Sequence, residues 1–357
     1  MSNTSTASRA LSVIWPADRH IRLLIGVVLG IVVLLSALKQ GTFLSGRNFT
    51  SMALQVSDLG ILTLAMMLAM VIGGIDLSVS AVANLSAVTA AIAMAPLQAA
   101  SGPGALVVGI VVALLVGLAC GIVNGVLIGY LGVPAILATL ATLTLFGGIA
   151  TVLSNGVSLY GFPTELAAIG SAAIAYIPVP TLILIVVIVA VWVLLNRTPI
   201  GTTMYLLGAN PKASLFSGVR NGRVVLITHI ICSLLAALAG IVVMARTDAA
   251  NPNYGSSYVL VTILIVVLGG VAVTGGSGRV SGVVLALIAL QMLSTGLNML
   301  LVGLGDSNFF RDFAWGALLL LVIASRAISR RVKKKKSAPS TESSTESLTE
   351  LPTKGVS

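Results

Sequence analysis

Apolar runs of near membrane-crossing length, repeated along almost the whole chain, limit its possible folds more than any other feature. They lie at 23–38, 51–73, 77–96, 104–129, 134–154, 179–195, 224–245, 257–274, 280–302 and 309–325. Each is close to the roughly twenty residues that cross a hydrocarbon layer as a helix. A membrane β-barrel would need alternating segments of about ten residues instead. With 57% hydrophobic and 8% charged residues, the chain also falls outside soluble classes, where about a quarter of residues are charged. The expected fold is an all-α integral membrane protein of about ten transmembrane helices, with both termini cytoplasmic. The 37 glycines favour close helix packing through small residues.

Charge sets the expected orientation. Arg9, Arg19 and Arg22 precede the first run, so the N-terminus is read as staying inside. Ser36-Ala37-Leu38-Lys39 makes a poor signal-peptidase site, and the first span is read as retained. The segment 196–223 carries Arg197, Lys212, Arg220 and Arg223 with no acid, and it too falls inside. A small helix is expected there over ANPKASLFSG. On this topology only Lys39, Arg47, Arg246 and Arg311 lie outside. The domain plan is a tail at 1–20, a membrane domain at 21–326 containing the loop 196–223, and a tail at 327–357. In that last tail, RRVKKKK fits an anchor against anionic headgroups, and the Ser/Thr/Glu-rich remainder reads as disordered. The stretch 155–178 is only mildly apolar and reads as an external loop with a short surface helix or a re-entrant turn.

Within the spans, the turn Gly73-Gly74-Ile75-Asp76-Leu77-Ser78 is the most informative feature. Adjacent glycines loosen a helix, and Asp76 can cap a new one beginning at Leu77. A carboxylate at mid-membrane costs about 2.5–3.5 kcal/mol on insertion scales, so Asp76 either caps a tight turn at the cytoplasmic surface or meets cargo. Asp58 reads as a partly hydrated residue near the outer interface. Val273-Thr274-Gly275-Gly276 echoes Val71-Ile72-Gly73-Gly74 between spans of the same direction, which hints at two weakly related halves. Polar residues dot other helices: Asn84, Ser86 and Thr89; Asn124; Thr139, Thr142 and Thr144; Gln291, Ser294 and Asn298. They could line a passage for a hydroxylated solute or serve as interhelical glue.

Several classes are excluded. The net charge of +10 sits in the tail and beside spans, as membrane orientation requires, and no nucleic-acid partner is implied. His20 and His229 lack a partner at metal-ligand spacing, and Cys120 and Cys232 sit inside apolar runs. No catalytic residue and no metal site is assigned. There is no GxxxxGK[ST] phosphate loop, so any ATP chemistry must come from another chain. No chain of acids and bases threads the spans, which argues against a proton-coupled pump.

Six stretches resemble the permease subunits of sugar-type ATP-binding-cassette importers, the group serving ribose, xylose, arabinose, rhamnose and autoinducer-2. They are VIGGIDLSVSAVANLSAV, GVPAILATLATLTLFGGIA, GTTMYLLGANPKASLFSGV, LLAALAGIVVMAR, LGGVAVTGGSGRVSGVVLALI and LNMLLVGLGDSNFFRDFAWGALLLLVI, in the family's order. GGIDLSV and LGANPKASLFSGV are the specific ones. The resemblance implies a bacterial cytoplasmic (inner) membrane location and a second permease, the same or a sister chain. It also implies an ABC ATPase that binds ATP and magnesium, and an extracytoplasmic solute-binding protein, with no cofactor in this chain. A coupling helix would lie in 201–220, drawing on Met204, Leu207, Gly208, Asn210, Pro211, Lys212, Ala213, Ser214, Phe216, Ser217 and Gly218. Many relatives carry an acidic pair followed by Ala-Ala where this chain has Pro211-Lys212-Ala213-Ser214, which is closer to some autoinducer-2 import permeases. The expected path or gate residues are Gly73, Gly74, Asp76, Ser78, Asn84, Asn124, Thr139, Thr142, Gly275, Gly276 and Asn298. The alternative is a self-sufficient secondary carrier or exporter of a small polar solute.

Overall fold

Long apolar runs become helices, and the chain breaks where glycine or proline interrupts them. The computed structural model describes residues 19–39, 41–97, 103–174, 176–301, 313 and 315–317. In chain order the helices are α1 (Arg19–Leu38), α2 (Gly46–Val71), α3 (Val79–Met94, prolonged by a 3₁₀ turn Ala95–Leu97), α4 (Pro103–Gly129), α5 (Ala135–Leu153) and α6 (Thr164–Ser171). They continue with α7 (Val179–Arg197), α8 (Pro199–Ala209), α9 (Pro211–Phe216), α10 (Asn221–Thr247), α11 (Tyr258–Leu268) and α12 (Val280–Leu301). One small hairpin pairs β1 (Ala173–Ile174) with β2 (Ile177–Pro178) in antiparallel register. Residues 313 and 315–317 are helical and belong to a second unit.

Among the described residues, 8 helices are long and apolar enough to cross a membrane: α1 to α5, α7, α10 and α12. The fold is an all-α membrane protein. The expected span 257–274 needs correction, because its helix α11 has only 11 residues, about 16 Å at 1.5 Å per residue. It stops at the pair Gly269-Gly270, where Gly270 takes φ +93°, a left-handed backbone that only glycine adopts cheaply. Most of the expected span 309–325, the tail 327–357 and most of the N-terminal tail lie outside the described residues.

The end of α2, the start of α3, the end of α4, helices α8 and α9 and the start of α10 share one end of the bundle. Lys212, Arg220 and Arg223 lie on or beside these segments and Arg197 ends α7 just before α8, so this is the basic end. The opposite end carries 41–45, 155–174, 176–178 and 248–257.

Two helices organise the interior. α2 is buried almost throughout its second half and packs on α7, α10, α11 and α12. α10 packs on α2, α3, α4 and α6. Its seam with α4 has a simple cause. Gly117, Gly121, Gly125 and Gly129 recur every fourth residue, so successive ones are neighbours along α4, and all four face α10. A Cβ on Gly121 would lie 2.7 Å from the Ile230 Cα, and one on Gly125 would lie 2.8 Å from the Leu226 Cα. The backbones therefore touch, as small-residue stripes allow in membranes. Gly121→Leu is expected to destabilise the bundle by about 1–3 kcal/mol or more through overpacking. Gly30→Leu, on a face of α1 with nothing within 4 Å, should leave the melting temperature in mild detergent unchanged.

The outer faces suit lipid. α1 exposes Leu23, Val27, Leu29, Val33 and Leu34, while α7 exposes Val186 and Val189; apolar surface on this scale belongs in hydrocarbon. The stretch 155–178 forms a surface element. The peptide units of Leu159 and Ala250 exchange hydrogen bonds of 3.0 and 2.9 Å. Gly170 of α6 sits so close to Ala245 that a Cβ there would overlap its carbonyl, and Leu166 joins the buried cluster of Ala87, Met94, Met244 and Ala250. The 155–178 and 248–257 segments therefore make one platform with Tyr160 and Tyr176 exposed on it.

Candidate functional site

The basic end holds a three-way junction of main chain. α2 gives way at Ile72 to a non-helical stretch that lasts until α3, and α11 gives way to another that lasts until α12. Gly73 and Gly275 both take φ +86° at these breaks, where a side chain would strain the backbone. The two breaks touch: a Cβ on Gly275 would lie 2.6 Å from the Gly73 nitrogen and 3.0 Å from the Gly208 Cα. The Gly276 N–H donates to the Val71 carbonyl at 2.9 Å, satisfying an acceptor freed at the end of α2. Gly208 of α8 completes the contact, since a Cβ there would stand 2.0 Å from the Val71 oxygen and 2.5 Å from the Gly276 nitrogen. The echo between Gly73-Gly74 and Gly275-Gly276 is thus a physical contact, with the basic loop packed into it.

Side chains brace this junction. Asp76 is fully buried, and its Oδ1 accepts from the Ser78 N–H at 3.0 Å and the Ser78 hydroxyl at 2.6 Å. The expectation that Asp76 caps a helix starting at Leu77 needs adjustment. The helix starts at Val79, and the carboxylate shapes the turn before it. Asn124 of α4 donates to the Ser78 hydroxyl at 2.8 Å, and Thr139 of α5 donates to the Ile75 carbonyl at 3.0 Å. Gly74 lies against Ala135 at the start of α5. Thr142, buried one turn further along α5, donates only to Thr139 of its own helix.

The loop 196–223 is two helices rather than one. Proline in the first turn and a capping side chain start each, a common N-terminal arrangement. The Thr198 hydroxyl accepts from the Gly201 N–H, and the Asn210 carboxamide oxygen accepts from the N–H groups of Lys212 and Ala213. The eleven residues named for coupling divide by face. Met204, Leu207 and Ser214 are buried and Gly208 forms the junction contact. Asn210, Pro211, Lys212, Ala213, Phe216, Ser217 and Gly218 are exposed, Phe216 to 90%. Ser214 donates to Asn221 at 2.8 Å and Asn221 donates to the Pro211 carbonyl at 2.9 Å, tying α9 to the start of α10.

Tyr205 was not among the residues named from sequence. Its hydroxyl donates to the Gly278 carbonyl at 2.9 Å, a second tie between α8 and the break after α11. Burial pushes its phenol above the usual range, with Arg279 opposing, so it stays a donor.

Asn84 and Asn298 lie apart from this junction. Asn84 donates to the carbonyls of Pro252 at 2.9 Å and Tyr254 at 3.0 Å, holding the loop from the opposite end. Asn298 is on α12 near Gly296, which packs against Leu35 of α1.

The clearest correction concerns Asp58. It is not a hydrated interface residue: its side chain is 0% exposed and pairs with Arg246 at 3.2 Å. The Tyr254 hydroxyl donates to the same carboxylate oxygen at 3.3 Å. Burial first, then the nearby Asp58 carboxylate, pushes the Tyr254 phenol far above its ordinary value, keeping it protonated. The pair ties α2, α10 and the 248–257 loop together, across 188 positions of sequence.

Comparison with known proteins places the chain in a family. Residues 48–323 match the family described as branched-chain amino acid transport system / permease component. A ribose import permease of Bacillus subtilis (strain 168) is 35% identical over 295 residues, 82% of this chain and 88% of the relative. A D-allose transport system permease of Escherichia coli (strain K12) is 32% identical over 305 residues, 84% and 90%. An autoinducer 2 import system permease of Photorhabdus temperata is 33% identical over 280 residues, 76% and 80%. No solved structure matches. The chain therefore belongs to the permease components of ATP-binding-cassette importers, and it is a multi-pass transport subunit rather than an enzyme.

Proposed function

We propose that this permease moves a small polyhydroxylated solute, a sugar or an autoinducer-2-like compound, across a bacterial inner membrane. An extracytoplasmic binding protein delivers the solute, and a separate ATPase that holds ATP and magnesium supplies the energy. The observation that carries the reading is Gly208. The basic loop touches both helix breaks through it, so force applied to α9 can reach the backbone at Val71 and Gly276 by way of the adjoining α8. Basic residues put this end in the cytoplasm, and Leu215 and Phe216, exposed to 62% and 90%, offer an apolar grip to the ATPase. At the other end, the joined 155–178 and 248–257 segments offer the binding protein one platform. A second permease, the same or a sister chain, completes the pore.

The test is affinity purification of the chain from mild detergent, co-expressed with its ATPase, with hydrolysis assayed in the eluate. Replacing Lys212–Gly218 by a Gly/Ser linker should remove the ATPase from the eluate while the permease still extracts and elutes as before. Retention of full ATPase activity by the linker variant would discard the coupling assignment.

A further inference from the structure

Near the 248–257 loop, a cleft of about 380 Å³ opens between α3, α5 and that loop. Asn84, Thr144, Gly148, Thr151, Asn253 and Ser256 are among the residues on its walls, and no charged side chain lines it. This volume lies within the roughly 300–1,000 Å³ of small-molecule sites. The α5 wall is unlike the lipid-facing faces around it. Thr144, Gly147, Gly148 and Thr151 recur at spacings of three and four, on one face of the helix, whereas Leu145, Ile149 and Val152 are exposed on the other side. A hypothetical Cβ on Gly147 or Gly148 meets nothing within 4 Å, so these glycines are not packing joints like Gly121.

We propose that this cleft is where the solute lodges during passage, and that its hydroxyl, amide and main-chain groups select a neutral polyol over charged solutes. The inference rests on the import reading above and adds a place and a lining to it. A neutral wall admits hydroxyls through hydrogen bonds and rejects ions, which would lose hydration without a counter-charge. Asn84 stands midway along the α3 wall, with Ser80 and Ala81 nearer the junction. Its two bonds to Pro252 and Tyr254 hold the loop against α3, and releasing them would free the loop side of the cleft.

Gly148→Cys and Ser256→Cys test whether the cleft is wet, in the assembled transporter in liposomes, with a charged, membrane-impermeant methanethiosulfonate as probe. The native Cys120 and Cys232 are both buried, so the background is low. Both new thiols should react, as lipid-covered positions would not. Gly148→Trp then puts an indole into the cleft from a position where a Cβ meets nothing within 4 Å. Its melting temperature and ATPase co-elution should match wild type, while uptake of radiolabelled ribose or allose, whichever the wild type carries, falls at least tenfold. If wild type carries neither, protection of the two thiols by the loaded binding protein is the second readout. Absence of labelling in every nucleotide state would overturn the proposal, as would unchanged uptake in Gly148→Trp. Loss of permease pairing in Gly148→Trp would also overturn it, assigning the face to the second permease. Failure of ATPase co-elution in wild type would instead count against the import reading.

Discussion

Gly208→Ala is expected to leave an assembled transporter that hydrolyses ATP but moves almost no solute. The added Cβ would stand 2.0 Å from the Val71 oxygen and 2.5 Å from the Gly276 nitrogen, both main-chain atoms that cannot rotate away. α8 must therefore back off from the two breaks, and the Gly276–Val71 hydrogen bond loses its alignment. The exposed surface of α9 is unaltered, so the ATPase still binds. Severing a contact of this kind at a cost of about 3 kcal/mol corresponds to roughly a hundredfold loss of uptake. The measurement is solute moved per ATP hydrolysed in liposomes containing the full complex. Gly208→Ala transporting with wild-type stoichiometry would remove the junction from the mechanism.

Arg246→Ala should be the most destabilising single change outside the junction. It strands Asp58, which is completely buried, without its counter-charge; the arginine side chain itself is 20% exposed. Removing one member of a buried pair typically costs about 3–5 kcal/mol, most of it the desolvated charge left behind. Thermal unfolding in detergent should show a large fall in melting temperature. Adding Asp58→Asn removes the stranded charge, so the double variant should recover much of the loss, a non-additivity expected of direct partners. Equal melting temperatures for Arg246→Ala and wild type would mean that water reaches Asp58.

The membrane class and most spans were legible because an unbroken apolar run has few other outcomes. The run 257–274 misled because its residues stay apolar through Gly269-Gly270, and a hydropathy pattern does not register a left-handed turn. Helix α8 was hidden by Pro199, which reads as a break although it opens a helix. The convergence of Gly73, Gly208 and Gly275 was only half visible. The paired motifs stood out, but contact between them depends on the packing of α2, α8 and α11. Asp58 and Arg246 gave no local signal, being joined only by the fold. One available signal went unread: the four-residue spacing from Gly117 to Gly129, which marks the face that meets α10.

The half-length α11 has a consequence for biogenesis. With 11 residues against the roughly 17–25 of a spanning helix, it is too short to partition into the bilayer by its own hydrophobicity. It needs a protein groove to receive it. α2 and α10 precede it in synthesis, and α2 supplies one wall, while α12 follows immediately and supplies another. The order of the helices along the chain thus offers α11 one wall before it leaves the ribosome and closes the berth with the next helix made. Membrane insertion and tertiary folding become one event at this position.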